Sequence, residues 1–209
     1  MHDIGALAAD LLARAEGRPR YLVAVAGAPG SGKSTLAEAL VAALAAASPG
    51  AAVLVPMDGY HLDNSVLDAR GLRERKGAPA TFDVAGLARD LDRIRGGESP
   101  VYVPVFDRAL DLARAGARAV EATHRVVVVE GNYLLLDEAP WALLGSRFDR
   151  TLRLEVPEAE LRRRLVRRWL DHGLHQEAAE ARAEGNDLPN ARVVATRSRP
   201  ADVTLAWTA

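Results

Sequence analysis

An α/β fold, a parallel sheet core flanked by helices, is predicted for this chain by three observations. Short β-branched runs alternate with helical stretches, the pattern of a sheet with helices on its faces. Of the 209 residues, 49% are hydrophobic and 26% charged, ample material for one buried core. No internal repeat, low-complexity linker or composition break divides the chain, so residues 1–209 are expected to form a single domain.

The elements follow in order. The N-terminal stretch reads as a short amphipathic helix with Ile4, Leu7, Leu11 and Leu12 on one side. YLVAVAG (21–27) is the first clear strand, and KSTLAEALVAALAAA (33–47) is the helix after it. Pro49-Gly50 closes that helix, and AAVLVPMD (51–58) reads as the second strand. Residues 59–83 are irregular and rich in charge, Gly and Pro, a long connection of the kind that is functional or disordered. VAGLARDLDRIRGG (84–97) is a helix with Gly at its end, and SPVYVPVFD (99–107) is a strand that two prolines break or push to an edge. HRVVVVEG (124–131) is a buried strand, TLRLEVP (151–157) another, and DVTLAW (202–207) a last one. An Arg-rich helix from about Pro157 to His172 and a second helical stretch at 174–185 complete the set.

Composition excludes several classes. With 27 basic and 28 acidic side chains the net charge is -1, so no electrostatic case exists for nucleic acid or a membrane surface as partner. The absence of cysteine removes disulfides, thiolate zinc sites and cysteine nucleophiles. The N-terminus carries Asp3 and no continuous apolar core, and no apolar run approaches a membrane span, so a cytoplasmic protein is expected. His2, His124 and His175 lack metal-ligand spacing and read as structural or surface residues. Only two basic residues are lysines, Lys33 and Lys76; biased codon usage accounts for the arginines but not for where the lysines stand.

Residues 27–34, GAPGSGKS, match G-x-x-x-x-G-K-[ST]. Glycines at Gly27, Gly30 and Gly32 let the backbone curl, so that the amides of Ala28, Pro29's neighbours, Ser31 and Lys33 point at phosphate oxygens. The following helix, through Ser34 and Thr35, aims its positive end at the same anion. Lys33 offers a point charge to the β/γ-phosphates, and the Ser34 hydroxyl suits Mg²⁺. A nucleoside-triphosphate site follows, with ATP and Mg²⁺ as expected cofactors. Neither lysine sits in a guanine-reading N-K-x-D, and the strand at 124–131 ends Glu130-Gly131 rather than in the D-E pair of motor ATPases. A small-molecule kinase remains. Asp58 should emerge at the C-terminal edge of the sheet, where a carboxylate can take a proton from an attacking hydroxyl. Glu130, at the end of another strand, is placed for the metal side.

MDGYHLDN (57–64), RGLRERKGAPATFD (70–83), PVFDR (104–108), EGNYLL (130–135), RRWLDHG (167–173) and NDLPNAR (186–192) occur in one order over residues 20–192. In these motifs the chain resembles the phosphoribulokinase/uridine kinase/pantothenate kinase group of P-loop kinases, closest in flavour to bacterial pantothenate-kinase-like members associated with sugar transport. The resemblance implies a P-loop NTPase fold with a short Arg-rich lid at about 157–185. It implies Asp58 as the catalytic base, Glu130 with Ser34 on Mg²⁺, and a lid arginine on the transferring phosphoryl group. Arg168 aligns best with that arginine, and Arg164 lies one turn earlier on the same face. His61, Asp63, Asn64, Arg70, Lys76 and Arg108 are the expected acceptor-site residues, the first three offering donors and acceptors to hydroxyls. Arg108 stands where pantothenate kinases carry a histidine, which argues against pantothenate itself. Asn190 is expected near the adenine, and relatives often form dimers, so a homodimer is compatible with the chain. The expected function is ATP-dependent phosphorylation of an alcohol on a small polar metabolite. The competing class is a nucleotide-binding regulatory ATPase without acceptor chemistry, which the joint presence of Asp58, Glu130 and the lid arginines disfavours.

Overall fold

The computed structural model describes residues 3–206; His2 and Trp207 lie outside them. Along the chain run α1 (Ile4–Ala15), β1 (Tyr21–Gly27), α2 (Lys33–Ala47), β2 (Ala52–Pro56), α3 (Asn64–Ala69), α4 (Val84–Arg95), β3 (Val101–Asp107), β4 (Leu112–Val120), β5 (Val126–Gly131), β6 (Arg150–Glu155), α5 (Glu158–Asp171), α6 (Gln176–Arg182), α7 (Leu188–Arg197) and β7 (Val203–Ala206). Five strands form one sheet in the order β2-β5-β1-β6-β7, every neighbouring pair parallel. β1 and β5 are buried along their whole length, as central strands covered on both faces must be.

The period of two in β1 divides the core. Tyr21, Val23 and Val25 meet Leu40 and Leu44 of α2 and Leu11 of α1, whereas Leu22, Ala24 and Ala26 face the layer of α4 and α5. Aspartates start the helices on both sides. Asp3, Asp63 and Asp83 accept backbone N–H groups of Ala6, Ser65 and Gly86 at the first turns of α1, α3 and α4. Among the described residues, no helix is long and apolar enough to cross a membrane.

Four local expectations change. The second strand stops at Pro56, and Met57–Tyr60 is a 3-10 turn, so Asp58 stands just beyond the strand. The 59–83 connection is ordered: it contains α3, and its ends are joined where the Asp83 amide donates to the Tyr60 carbonyl (2.8 Å) and the Leu62 amide to that of Thr81 (2.9 Å). The strand at 99–107 does not edge the main sheet. It pairs antiparallel with β4, whose Ala- and Arg-rich sequence carries little β propensity, and the register shifts between Val103 and Val105, around Pro104. Finally, the helical stretch at 174–185 continues to Arg197. The chain passes through a π turn, Ala183–Asp187, and resumes as α7, whose second residue is Pro189.

The Arg-rich segment is no detached flap. Leu161, Leu165 and Val166 of α5 are buried in the main core. Arg162, Arg163 and Arg167 form the solvated face, paired with Glu184, Glu160 and Asp171.

Candidate active site

Between β1 and α2 the chain makes the phosphate loop. Gly30 (φ 78°) and Gly32 (φ 91°) adopt left-handed backbone that side-chain-bearing residues rarely adopt. At Gly27 a Cβ would stand 2.6 Å from Ser31 Oγ, so the turn closes only without one. Ser31 is 3% exposed and its hydroxyl has no partner within the protein, as a phosphate-facing group would be left. α2 then presents its N-terminus with no side-chain cap, its free amides aimed at the loop.

The adjacent strands deliver the acids. Glu130 at the end of β5 is buried; Ser34 Oγ donates to its Oε1 (3.0 Å), and Lys33 Nζ lies 3.6 Å from the same oxygen. Burial pushes the Glu130 carboxyl above its ordinary range, and the Lys33 ammonium opposes that shift. Asp58, on the turn after β2, accepts from Arg108 Nη2 at 2.9 Å. Arg108 follows β3, so the hairpin reaches over the sheet edge to the carboxylate.

Two recesses share the loop. An apolar groove of 460 Å³ is lined by Ala28, Leu154, Val156, Leu161 and Val194, among others. A polar cleft of 250 Å³ is lined by Pro29, Lys33, Asp58, His61, Lys76, Arg108, Arg168 and Asn190, which the sequence had singled out. Asn190, the residue expected near the adenine, lines this cleft. α7 separates the recesses, turning Ala191 and Val194 to the groove and Asn190 to the cleft.

Two expected acceptor residues are elsewhere. Asp63 caps α3, its Oδ1 accepting from the Ser65 amide and hydroxyl, because its position before the helix commits the carboxylate. Arg70 is exposed at the far end of the same short helix. Asn64 joins the cleft wall indirectly. Lys76 Nζ donates to Asn64 Oδ1 (2.7 Å) and the Asp111 carbonyl (2.7 Å), and meets Asp111 Oδ1 at 2.8 Å. Three acceptors account for the three ammonium hydrogens, so Lys76 ties the hairpin tip to α3 instead of offering a free cation. Lys76→Met should therefore lower Tm by about 2–4 °C and raise the acceptor KM more than it lowers kcat. Thermal melts and steady-state kinetics check both.

His61 is held between Phe82 (ring centroids 4.1 Å) and Phe106 (4.6 Å). Its Nδ1 lies 2.7 Å from the Asp58 carbonyl; that oxygen only accepts, so Nδ1–H donates and Nε2 is left as an acceptor. Burial lowers its pKa from the ordinary 6.5, against the pull of Asp58. The unfolded chain thus binds this proton more readily. The associated stability is complete above pH 6.5 and is lost as pH falls toward the folded pKa. His124, shifted down by burial, adds the same sign. Urea midpoints should fall between pH 7 and 5, and His61→Asn should flatten that fall without abolishing it.

The lid arginines differ in their contacts. Arg164 Nη1 donates to the carbonyls of Gly30 (3.3 Å) and Ser31 (3.2 Å), touching the phosphate loop itself. Arg168 meets Asp187 Oδ1 (3.2 Å), and Trp169 Nε1 donates to Asp187 Oδ2 (2.6 Å). Sequence reasoning missed Arg73, Asp111, Asn132, Trp169, Arg182, Asn186 and Asp187, all of which line the cleft. The quoted motifs contained five of them, Arg73, Asn132, Trp169, Asn186 and Asp187; Asp111 and Arg182 carried no local signal.

The donor set fits a nucleotide with its metal. A glycine-built cradle, an uncapped helix N-terminus, a lysine, and a serine hydroxyl beside a carboxylate are what a Mg²⁺-triphosphate requires. Mg²⁺ keeps waters and phosphate oxygens as ligands and needs few protein groups. Among the described residues, no cluster of three or more His, Cys, Asp or Glu stands ready for a metal.

No family model matches the chain. It is 38% identical over 191 residues to the "Uncharacterized protein YggC" of Escherichia coli (strain K12), covering 90% of this chain and 78% of that one. It is 35% identical over 199 residues to the "Putative uridine kinase C227.14" of Schizosaccharomyces pombe, covering 89% and 83%. The chain belongs to the phosphoribulokinase/uridine kinase/pantothenate kinase-like family of P-loop kinases. Within this kinase family, a crystal structure described as a "putative fructose transport system kinase" from Silicibacter sp. TM1040 superposes with a TM-score of 0.92 at 51% identity, covering 98% of this chain and 100% of that one. Membership makes the protein a P-loop kinase acting on small metabolites, and implies ATP use, typically with Mg²⁺.

Proposed function

We propose that this kinase transfers the γ-phosphoryl group of ATP to a hydroxyl of a small polar metabolite, with Asp58 as the base. The supporting observation is the placement of Asp58 and Lys33 on one polar cleft, beside a Ser34–Glu130 pair. When bound, ATP supplies the phosphoryl group and Mg²⁺ offsets its charge. Asp58 accepts the proton that the attacking hydroxyl loses as its oxygen bonds to phosphorus, while the bond to the bridging oxygen of ADP breaks. Arg108 fixes the direction of the Asp58 carboxylate through its 2.9 Å contact. Lys33 and the loop amides hold the β/γ-phosphates, Ser34 and Glu130 organise the metal side, and Arg164 or Arg168 meets charge developing on the equatorial oxygens. The apolar groove beside Ala28 suits the nucleotide base, leaving the cleft for the acceptor.

An ADP-release screen over sugars, polyols, nucleosides and vitamin precursors tests this reading. Acceptor-dependent ADP release is expected. ATP binding without any such release would sink it and favour a regulatory nucleotide-binding role.

A further inference from the structure

One cation on the cleft wall is answered by no carboxylate among the described residues. Its lining includes the cations Lys33, Arg73, Lys76, Arg108, Arg168 and Arg182, against the carboxylates Asp58, Asp111 and Asp187. Lys33 faces Glu130, Lys76 faces Asp111, Arg108 faces Asp58, Arg168 faces Asp187, and Arg73 reaches Asp68 and Asp111. Arg182 differs. Among the described residues it has no carboxylate partner, and its guanidinium carbon lies 5.3 Å from the ring centroid of Trp169. Trp169 is fixed by its 2.6 Å bond to Asp187, so the ring holds the half-buried guanidinium in place while its N–H donors stay uncommitted to any acid.

A second observation concerns the same wall. The side-chain oxygens of Asn132 and Asn190 are buried without a hydrogen-bond donor from the protein, and Asn190 is only 2% exposed. A buried amide group left unmatched is costly unless a ligand answers it. An asparagine can turn either its oxygen or its NH₂ to such a ligand, and a hydroxyl satisfies both because it donates and accepts.

We infer that the phosphate acceptor is a polyhydroxylated anion, a sugar acid or a sugar phosphate, whose anionic group is held by Arg182 and whose hydroxyls meet Asn132 and Asn190. This rests on the kinase reading of the same cleft and narrows it to a substrate class.

Matched pairs decide it. Calorimetry with saturating Mg²⁺ and a non-hydrolysable ATP analogue compares D-glycerate with glycerol, D-gluconate with glucitol, ribose 5-phosphate with ribose, and fructose 6-phosphate with fructose. At least one anion should bind about tenfold or more tighter than its neutral partner. Arg182→Gln should erase that difference and Arg182→Lys restore part of it, while Asn190→Ala should weaken both members of the pair. The acid pairs and the phosphate pairs separate a carboxylate from a phosphate as the recognised group. Neutral members binding as tightly as anions, or no member binding, would overturn the inference. So would Arg182→Gln lowering kcat with acceptor binding unchanged, because Arg182 would then serve the migrating phosphoryl group. ADP release with ATP, measured on the same panel, reads the kinase assignment separately. Release with neutral sugars alone would keep the kinase and remove the anion. Selective anion binding without release would keep the anion site and remove the kinase.

Discussion

Asp58→Asn is expected to lower kcat by about 10²–10⁴-fold, with ATP affinity nearly intact. The substitution conserves shape and leaves an oxygen for Arg108 Nη2, now 2.9 Å from Oδ2. It removes the capacity to accept a proton. The hydrogen bonds of Asp58 go to His61 and Arg108, whereas Lys33 and Ser34 of the phosphate loop engage Glu130, so nucleotide binding has no reason to fall. Steady-state kinetics on the acceptor, with titration of a nucleotide analogue, separates the two quantities. Turnover that survives the change would remove Asp58 from the role of base.

Gly59→Ala is expected to act next door by a different route. A Cβ at this position would overlap the Pro104 carbonyl, whose carbon would be 2.6 Å away. Backbone does not yield as a flexible side chain does, so the turn at Met57–Tyr60 and strand β3 must part. The hairpin carries Arg108, Phe106 and Asp111, three residues of the cleft wall. An ångström of displacement there should lower kcat/KM for the acceptor by about 10²-fold and stability by about 1–3 kcal/mol. The phosphate loop lies on another connection and should keep its affinity for ATP. Denaturant titration and acceptor kinetics check the pair of effects; unchanged acceptor kinetics would mean the hairpin is no wall of the site.

These expectations show what a linear reading can and cannot reach. The phosphate loop was legible because its function is written in consecutive residues, Gly27 to Ser34. Asp58 and Glu130 were legible because each ends an apolar run, and parallel strands bring their ends to one edge. The acceptor wall was harder, since it is assembled from four connections and depends on which partner each side chain finds. Lys76 reads as a free cation until Asn64 and Asp111 are seen around it. Asp63 reads as a ligand until it is seen capping α3. β4 and α7 were missed because Ala–Arg alternation and an internal proline speak against the structures that tertiary packing imposes on them.

The π turn between α6 and α7 has a consequence in angular terms. In an uninterrupted α-helix each residue advances about 100°, so Asp187 would point about 140° away from Arg182. The wider turn advances each residue less, about 80°, and brings Asp187 to within roughly 50° of Arg182. Arg182, Asn186, Asp187 and Asn190 can then look into one cleft from a single helical run. One extra residue in the winding thus sets the phase of the wall. Removing Gly185 alone would preserve these four side chains and still change the phase of the three beyond it relative to Arg182.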